Sequence, residues 1–195
     1  MTLIHEKLPV LCARMAILQA QIHFMNIAPE KVVGLRFDLH VSNGTTERRL
    51  MESANEANPF YFLVGHSGLP FEFENALIGL ETGKEFDFTV GMLDAYGPVE
   101  PEAIMDIPNA VFTDQNGKFD GENVSIGKYL YLEDEEGQQH RGKVIGLGAE
   151  TVKMDFNHPL AGFDLHFSGA VLEVRDAAAE ELAHGHVHGP GGHHH

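Results

Sequence analysis

The chain has 195 residues, of which 43% are hydrophobic and 22% charged, proportions typical of a globular protein rather than a disordered one. Its 29 acidic residues outnumber 13 lysines and arginines, giving a net charge of −16. That charge argues against nucleic acid as a partner, because phosphates would be repelled. The only cysteine, Cys12, excludes an intrachain disulfide.

The first 24 residues contain the only candidate targeting segment. Its unbroken apolar run, from Leu8 to Ala13, stops at Arg14. The run is too short to cross a bilayer, and no clear cleavage site follows. We expect a cytoplasmic protein with no membrane partner. Residues 1–24 are read either as a start site placed too early or as a helical extension.

Period-two alternation predicts the first strand, from Val32 to Val41. Its odd positions are apolar, namely Val33, Leu35, Phe37, Leu39 and Val41, as in a strand with one buried face. The turn signal of residues 42–44 follows it. A second strand is predicted around Thr46 to Glu52.

A short helix is predicted next, because Pro70 suits a first helical position. The apolar residues with helical spacing are Phe73, Ala76, Leu77 and Leu80, and Gly79 and Gly83 are expected to end the helix. Phe86, Phe88 and Val90 then alternate as a strand.

The pattern changes between Ala103 and Met154, where no helix-length amphipathic pattern is found. Residues 104–112 are read as a loop or short helix leading into a small sheet. Residues 128–147 predict a hairpin with an acidic tip at Glu133 to Gly137, and residues 150–156 a third strand.

A long strand is predicted for residues 162–175, near the end of the chain. Its apolar positions change phase at Ser168 and Gly169, which predicts a bulge or a strand buried on both faces. Together these elements predict an α+β protein with an insertion.

Three motifs together identify a family resemblance. They are GMLDAYG (residues 91–97), NHPLAGFDLHF (157–167) and EELAHGHVHG (180–189). In this combination and order the chain resembles the SlyD branch of the FKBP-type peptidyl-prolyl isomerases, from Met25 to His188. The segment DIPNAVF (106–112) stands where that branch begins an inserted domain.

The resemblance implies a curled antiparallel FKBP-like sheet over a short helix, with a small, mostly β insert-in-flap domain. Residues 25–102 and 155–177 would form the isomerase domain and residues 103–154 the insert, which captures unfolded chains in the family. Residues 1–24 would be an extension and residues 178–195 a flexible His-rich tail.

Isomerisation of an X-Pro bond must cross an amide-resonance barrier of roughly 18–20 kcal/mol. An apolar cup and a backbone hydrogen-bond donor can lower that barrier without a nucleophile or metal, so no cofactor is expected for isomerisation. The family pattern places the substrate-binding hydroxyl on Tyr96. It assigns the surrounding pocket to Phe167, Phe37, Phe73, Leu69, Pro70 and Leu165.

Each of these residues also has an ordinary structural explanation. Without the resemblance, Phe37, Phe73, Leu69 and Leu165 would be read as core residues and Tyr96 as a turn tyrosine. Two positions depart from the family pattern. Met51 stands near the place of a pocket aspartate, with Glu52 beside it, and Glu72 replaces a glycine. These departures put catalytic efficiency in doubt more than the fold.

The C-terminal histidines form a second candidate site. Six of the thirteen histidines lie at the end of the chain, at His184, His186, His188, His193, His194 and His195. Imidazole is a good ligand for nickel, copper and zinc, so this tail could hold about one divalent ion such as nickel. The final three histidines could instead be a partial tag.

Three hypotheses follow in order of preference. The first is a cytoplasmic prolyl isomerase that acts as a monomer on unfolded or partly folded polypeptides containing proline. The second is a chaperone-like holdase with residual isomerase activity. The third is a carrier of divalent metal that works through its tail.

Overall fold

The structure, a computed structural model, describes residues 25–45, 47–113 and 117–188. The predictions made for Cys12, for the first 24 residues and for His193 to His195 lie outside these residues. Within the described ranges, no helix is long and apolar enough to span a membrane.

The described residues form nine strands and two short α-helices, linked by turns and short 3₁₀ segments. In chain order they are β1 (Lys31–Ser42), β2 (Arg49–Ala54), β3 (Phe60–Leu63), α1 (Phe71–Leu77), β4 (Glu85–Val90), β5 (Ile104–Pro108), β6 (Tyr129–Glu133), β7 (Gln139–Leu147), β8 (Thr151–Asp155), β9 (Asp164–Asp176) and α2 (Ala179–His184).

The larger sheet has the strand order β2-β1-β9-β4, and β3 also pairs with β1. All of its pairings are antiparallel. The buried residues of α1, Phe73 and Leu77, join the apolar core of this sheet. The prediction of a mostly antiparallel protein with little helix is confirmed, and the arrangement is consistent with an FKBP-like fold.

A second sheet, with the order β5-β8-β7-β6, lies between β4 and β9 in the chain. It has its own apolar core, made of Phe112, Val124, Val144, Val152 and Met154. The predicted hairpin is confirmed as β6 and β7, and the predicted third strand as β8. The predicted entry loop is instead strand β5 followed by a 3₁₀ turn, because residues 104–108 pair with β8.

Strand β1 buries its predicted odd positions, but Val32 is buried as well. Val32 lies opposite Leu63 on β3 and Arg175 on β9, so these three residues share the other face of the sheet. Arg175 also binds Glu181 of α2. The C-terminal helix therefore covers this end of the second face.

Helix α1 is shorter than its apolar spacing predicts. Pro70 precedes the helix instead of starting it, Ala76 is exposed, and Leu80 lies beyond the end. The helix stops because Gly79 has a φ of +86° and donates its N–H to the carbonyl of Ile27 at 2.8 Å. Tertiary pairing with the residues before β1 thus ends the helix before the apolar pattern does.

The irregularity in β9 falls three residues after the predicted phase change. Gly34 pairs with Glu173 and Leu35 with Val171, which leaves Leu172 as the bulged residue. Gly169 serves another purpose, because a Cβ there would lie 2.8 Å from both Phe37 Cα and the Phe86 ring. The glycine permits a close approach between strands.

A bulge also interrupts β2, opposite Leu39 and His40 of β1. Leu39 pairs with Glu52, while His40 pairs with Leu50, so Met51 has no partner in this register. Because a bulge shifts the alternation by one residue, Glu52 lies on the same face as Leu39.

Candidate functional site

An aromatic cluster lies in the core of the larger sheet. Phe167 of β9 is at its centre, with its ring centroid 4.7 Å from Phe73, 5.5 Å from Phe88 and 5.8 Å from Phe37. The alternation of β1, β4 and β9 turns these rings to one side, and α1 brings Phe73 against them. We call these four residues the aromatic cluster.

The predicted pocket residues differ in how far they reach the surface. Phe37 and Phe167 are each 6% exposed, whereas Phe73 and Leu165 are each only 1% exposed. Leu165 sits on the central strand opposite both Val41 and Val90. Phe73 and Leu165 can therefore support a bound group from below, while Phe37 and Phe167 can touch it.

Leu69 and Pro70 are half-buried, and Leu69 packs against the same core. Glu74 of α1 holds the loop in front of them, accepting hydrogen bonds from the Gly65 amide at 2.7 Å and from the hydroxyl of Ser67. The Leu69 amide in turn donates to the Ser67 hydroxyl oxygen at 3.1 Å. This loop is thus held by a carboxylate that sequence patterns did not single out.

Tyr96 is half-buried and packs against the core that contains the aromatic cluster. The imidazole of His158 stacks on its ring, with centroids 3.5 Å apart. Burial raises the pKa of the Tyr96 phenol, and the negative charge of Glu52 raises it further. The hydroxyl therefore stays protonated near neutral pH and can donate a hydrogen bond.

The structure thus gathers six of the predicted pocket residues into one apolar core: Tyr96, Phe167, Phe37, Phe73, Leu69 and Leu165. Pro70 lies next to Leu69 at the start of α1, and the Phe73 amide donates to its carbonyl. Sequence reasoning missed Phe88 as a member of the aromatic cluster. Sequence reasoning also missed the stacking of His158 on Tyr96, because this contact joins two motifs that are far apart in the chain.

Three tail histidines converge outside the sheet. One ligand atom from each of His184, His186 and His188 lies within 4.8 Å of the others. The Nε2 atom of His188 lies 3.2 Å from His184 Nδ1 and 3.1 Å from His186 Nε2. A ring nitrogen carries either one proton or one lone pair, so His188 Nε2 cannot form a full hydrogen bond with both His184 and His186.

The stretch that was predicted as a flexible tail begins with α2, and its Glu181 is only 2% exposed. Both carboxylate oxygens of Glu181 accept hydrogen bonds from Arg175 at 2.8 Å. They also accept from the amides of Ala178 and His188, at 2.8 and 3.0 Å. Glu181 thereby ties the histidine segment to strand β9, and its pKa is lowered to about 2, chiefly by the hydrogen bonds from Arg175.

Comparison with known proteins agrees with this fold and site. No family model matches the chain, but it is 37% identical over 169 residues to an FKBP-type peptidyl-prolyl cis-trans isomerase from Aeromonas hydrophila, covering 86% of this chain and 74% of that protein. The corresponding protein of Escherichia coli K12 is 33% identical over 165 residues, covering 85% and 79%. That of Pasteurella multocida is 31% identical over 175 residues, covering 88% and 82%.

The chain belongs to the family of FKBP-type peptidyl-prolyl cis-trans isomerases. All three of these relatives carry the name SlyD, so the branch inferred from the sequence motifs is confirmed as well.

Proposed function

We propose that this protein accelerates the cis–trans isomerisation of X-Pro bonds in unfolded or partly folded polypeptides. The proposal rests chiefly on one observation, the packing of Tyr96 against the apolar core that contains Phe37 and Phe167, in a chain of this family. Relatives whose names state this activity cover most of the chain.

The reaction needs no bond to be broken, because only the C–N bond of the prolyl amide rotates. In the twisted amide, resonance is lost and charge separation falls, so an apolar surface favours it over the planar amide. Phe37 and Phe167 would receive the proline ring, with Leu69 and Pro70 beside them and Phe73 and Leu165 as support. The Tyr96 hydroxyl would donate to a backbone carbonyl next to the proline and hold the turn.

Proline-limited refolding of a test protein measures this activity. The wild-type chain should accelerate the slow phase, while Tyr96→Phe should lower kcat/KM about tenfold by removing the hydrogen bond. Phe167→Leu keeps an apolar core residue but should also reduce the rate. Tyr61→Phe is the matched control, because the Tyr61 hydroxyl binds Glu173 instead. No acceleration by the wild-type chain would refute the proposal.

A holdase role for the second sheet is the other candidate supported by an observation. Several large apolar side chains of residues 103–154 are exposed, including Ile126 and Tyr131 at 66% each and Leu147 at 49%. Exposed apolar groups of this kind can bind the apolar segments of unfolded chains. The same residues would then add chaperone activity to the isomerase.

Suppression of aggregation tests the holdase proposal. Tyr131→Ser combined with Leu147→Ser should weaken suppression and leave peptide isomerisation unchanged. Ile78→Ser is the control, since Ile78 is also exposed but lies at the end of α1. Full suppression by the double variant would count against this role.

The tail histidines fit a single divalent ion. Metal–nitrogen bonds of about 2.0–2.1 Å place neighbouring ligand nitrogens roughly 3.0–3.3 Å apart, close to the contacts at His188 Nε2. We therefore propose that His184, His186 and His188 would hold nickel or a similar ion. Bound there, the ion would act as cargo or as a structural group, apart from the aromatic cluster.

Calorimetric titration of nickel into the full-length chain tests this second site. Changing His184, His186 and His188 to alanine together should abolish binding of one ion. A matched variant changes the same number of histidines, His193 to His195, and should retain that ion. Equal binding by the wild-type chain and the first variant would exclude the site.

A further inference from the structure

Glu52 lies at the edge of the aromatic cluster on strand β2. In the β1–β2 ladder it is directly opposite Leu39, and Ala54 is opposite Phe37. Directly opposed residues of an antiparallel pair share a face, with Cβ atoms about 5 Å apart. Leu39 is buried while Glu52 is exposed, so the strand directs a carboxylate along the apolar face and keeps it in contact with water.

The charge of Glu52 acts on the group proposed to hold the substrate backbone. Among the described residues, it is the charge that contributes to the raised pKa of the Tyr96 phenol, after the larger effect of burial. In the sheet, Glu52 stands in one row with Leu39 and Phe167, and Tyr96 packs against the core that contains Phe167. A side chain next to a bound proline would pass between them.

Among the described residues, no ion pair includes Glu52. Arg49, three residues earlier on β2, places its guanidinium over the ring of Phe163, 5.3 Å from the centroid. The Glu52 carboxylate is thus free to pair with a charge that a substrate brings.

We propose that Glu52 makes this site prefer X-Pro segments that carry lysine or arginine adjacent to the proline, an inference that rests on the proposed isomerase function. The aliphatic stem of such a residue can lie on the apolar rim while its cation reaches the carboxylate. An acidic residue at the same place is repelled. The net charge of −16 attracts basic chains to the whole protein, whereas the charge of Glu52 acts on Tyr96 itself.

The size of the preference follows from the exposure of the pair. Solvent-exposed ion pairs contribute about 0.2–1 kcal/mol, equivalent to roughly a 1.4- to 5-fold change in kcat/KM, and salt screens them. The preference should therefore be clear at low ionic strength and fade near 1 M salt.

The experiment uses the full-length chain and peptides of one sequence that differ only in the residue before, or only in the residue after, the proline. The variable residue is lysine, glutamine or glutamate, and catalysed cis–trans exchange is measured by NMR. The wild-type chain should prefer lysine over glutamine and glutamine over glutamate. Glu52→Gln should remove this order, and Glu52→Lys should reverse it.

Glu56→Gln is the matched control, because it makes the same charge change in the turn after β2 and Glu56 makes no contribution to the Tyr96 pKa. It should keep the wild-type order. A second measurement is independent of activity: Glu52→Gln should lower the pKa of the Tyr96 phenol in an absorbance titration, identified by comparison with Tyr96→Phe.

The outcomes separate the two proposals. The proposed selectivity would be overturned if the wild-type chain accelerated all peptides to the same extent, or if Glu52→Gln kept the wild-type order of peptide preference. The isomerase function would stand in either case. No acceleration of any peptide by the wild-type chain would overturn both.

Discussion

The imidazole of His158 stacks on the phenol of Tyr96, with the ring centroids 3.5 Å apart and the planes 15° apart. The Leu160 amide donates to His158 Nδ1 at 3.1 Å, so the turn after β8 fixes the ring that covers Tyr96. The motif that contains His158 thereby orients Tyr96, the principal polar side chain of the GMLDAYG motif.

Replacing His158 with alanine should reduce isomerase activity through this contact. Aromatic pairs contribute about 0.5–1.5 kcal/mol beyond area burial, so we expect kcat/KM to fall roughly 2- to 12-fold. His158→Phe keeps a ring against Tyr96 and should retain most of the activity. Peptide isomerisation measured by NMR checks both variants. Full activity in His158→Ala would mean that Tyr96 is held by other contacts.

Partial burial of the His158 ring, which stacks on Tyr96, lowers its pKa, and this predicts a dependence of stability on pH. The unfolded chain binds a proton near the ordinary histidine pKa of about 6.5, whereas the folded chain binds it only at lower pH. Stability from this residue is therefore present above about pH 6.5 and declines as the pH falls below it. Protonation of Nδ1 also removes the acceptor for the Leu160 amide.

Thermal unfolding between pH 8 and pH 5 measures this effect. The loss of stability toward pH 5 should be smaller in His158→Phe than in the wild-type chain, because the contribution of His158 is absent. His166 also has a pKa lowered by burial, so His166→Asn is the comparison that isolates the contribution of His158. An identical pH profile in His158→Phe and the wild-type chain would contradict the prediction.

Replacing Gly169 with alanine should destabilise the larger sheet strongly. The added Cβ would lie 2.8 Å from Phe37 Cα and also 2.8 Å from the Phe86 ring, and Phe37 Cα cannot yield without moving strand β1. We expect a loss of about 3 kcal/mol in the free energy of unfolding, measured with urea. Gly121→Ala is the control, because its Cβ would meet only the Phe119 ring at 3.8 Å. Equal stability of the two variants would contradict this account.

Most strands could be predicted because their burial follows a two-residue period. Strand β1, with its buried Phe37 and Leu39, is the clearest case, and the β6–β7 hairpin is another. Tyr96 and Phe167, which the family motifs indicated, lie in or against one apolar core. These features are local in sequence or carried by a distinctive motif.

What could not be predicted depends on pairing between distant segments. The bulge at Met51, which turns Glu52 toward the aromatic cluster, exists only in the register with β1. The phase change at Gly169 predicted a bulge there. The glycine is instead needed because Phe37 and Phe86 approach it closely from other strands. No local pattern reveals which strand lies opposite, so these details appear only in the folded structure.

Replacing Glu181 with glutamine should destabilise the protein and change its response to acid. Glu181 is 2% exposed and its pKa is lowered from 4.5 to about 2, a shift equivalent to about 3 kcal/mol of folded-state stability above pH 4.5. In the wild-type chain this contribution should disappear as the pH falls from about 4.5 to about 2. Glu181→Gln should lose it at every pH, because a neutral amide cannot replace the carboxylate paired with Arg175.

Urea unfolding from pH 7 down to pH 3 measures the difference between the two chains, which should be largest at pH 7 and narrow toward pH 3. Glu180→Gln is the control, since Glu180 is the exposed neighbour in the same helix, and it should match the wild-type chain throughout. A constant difference between Glu181→Gln and the wild-type chain across this range would show that the carboxylate is not the source of the stability.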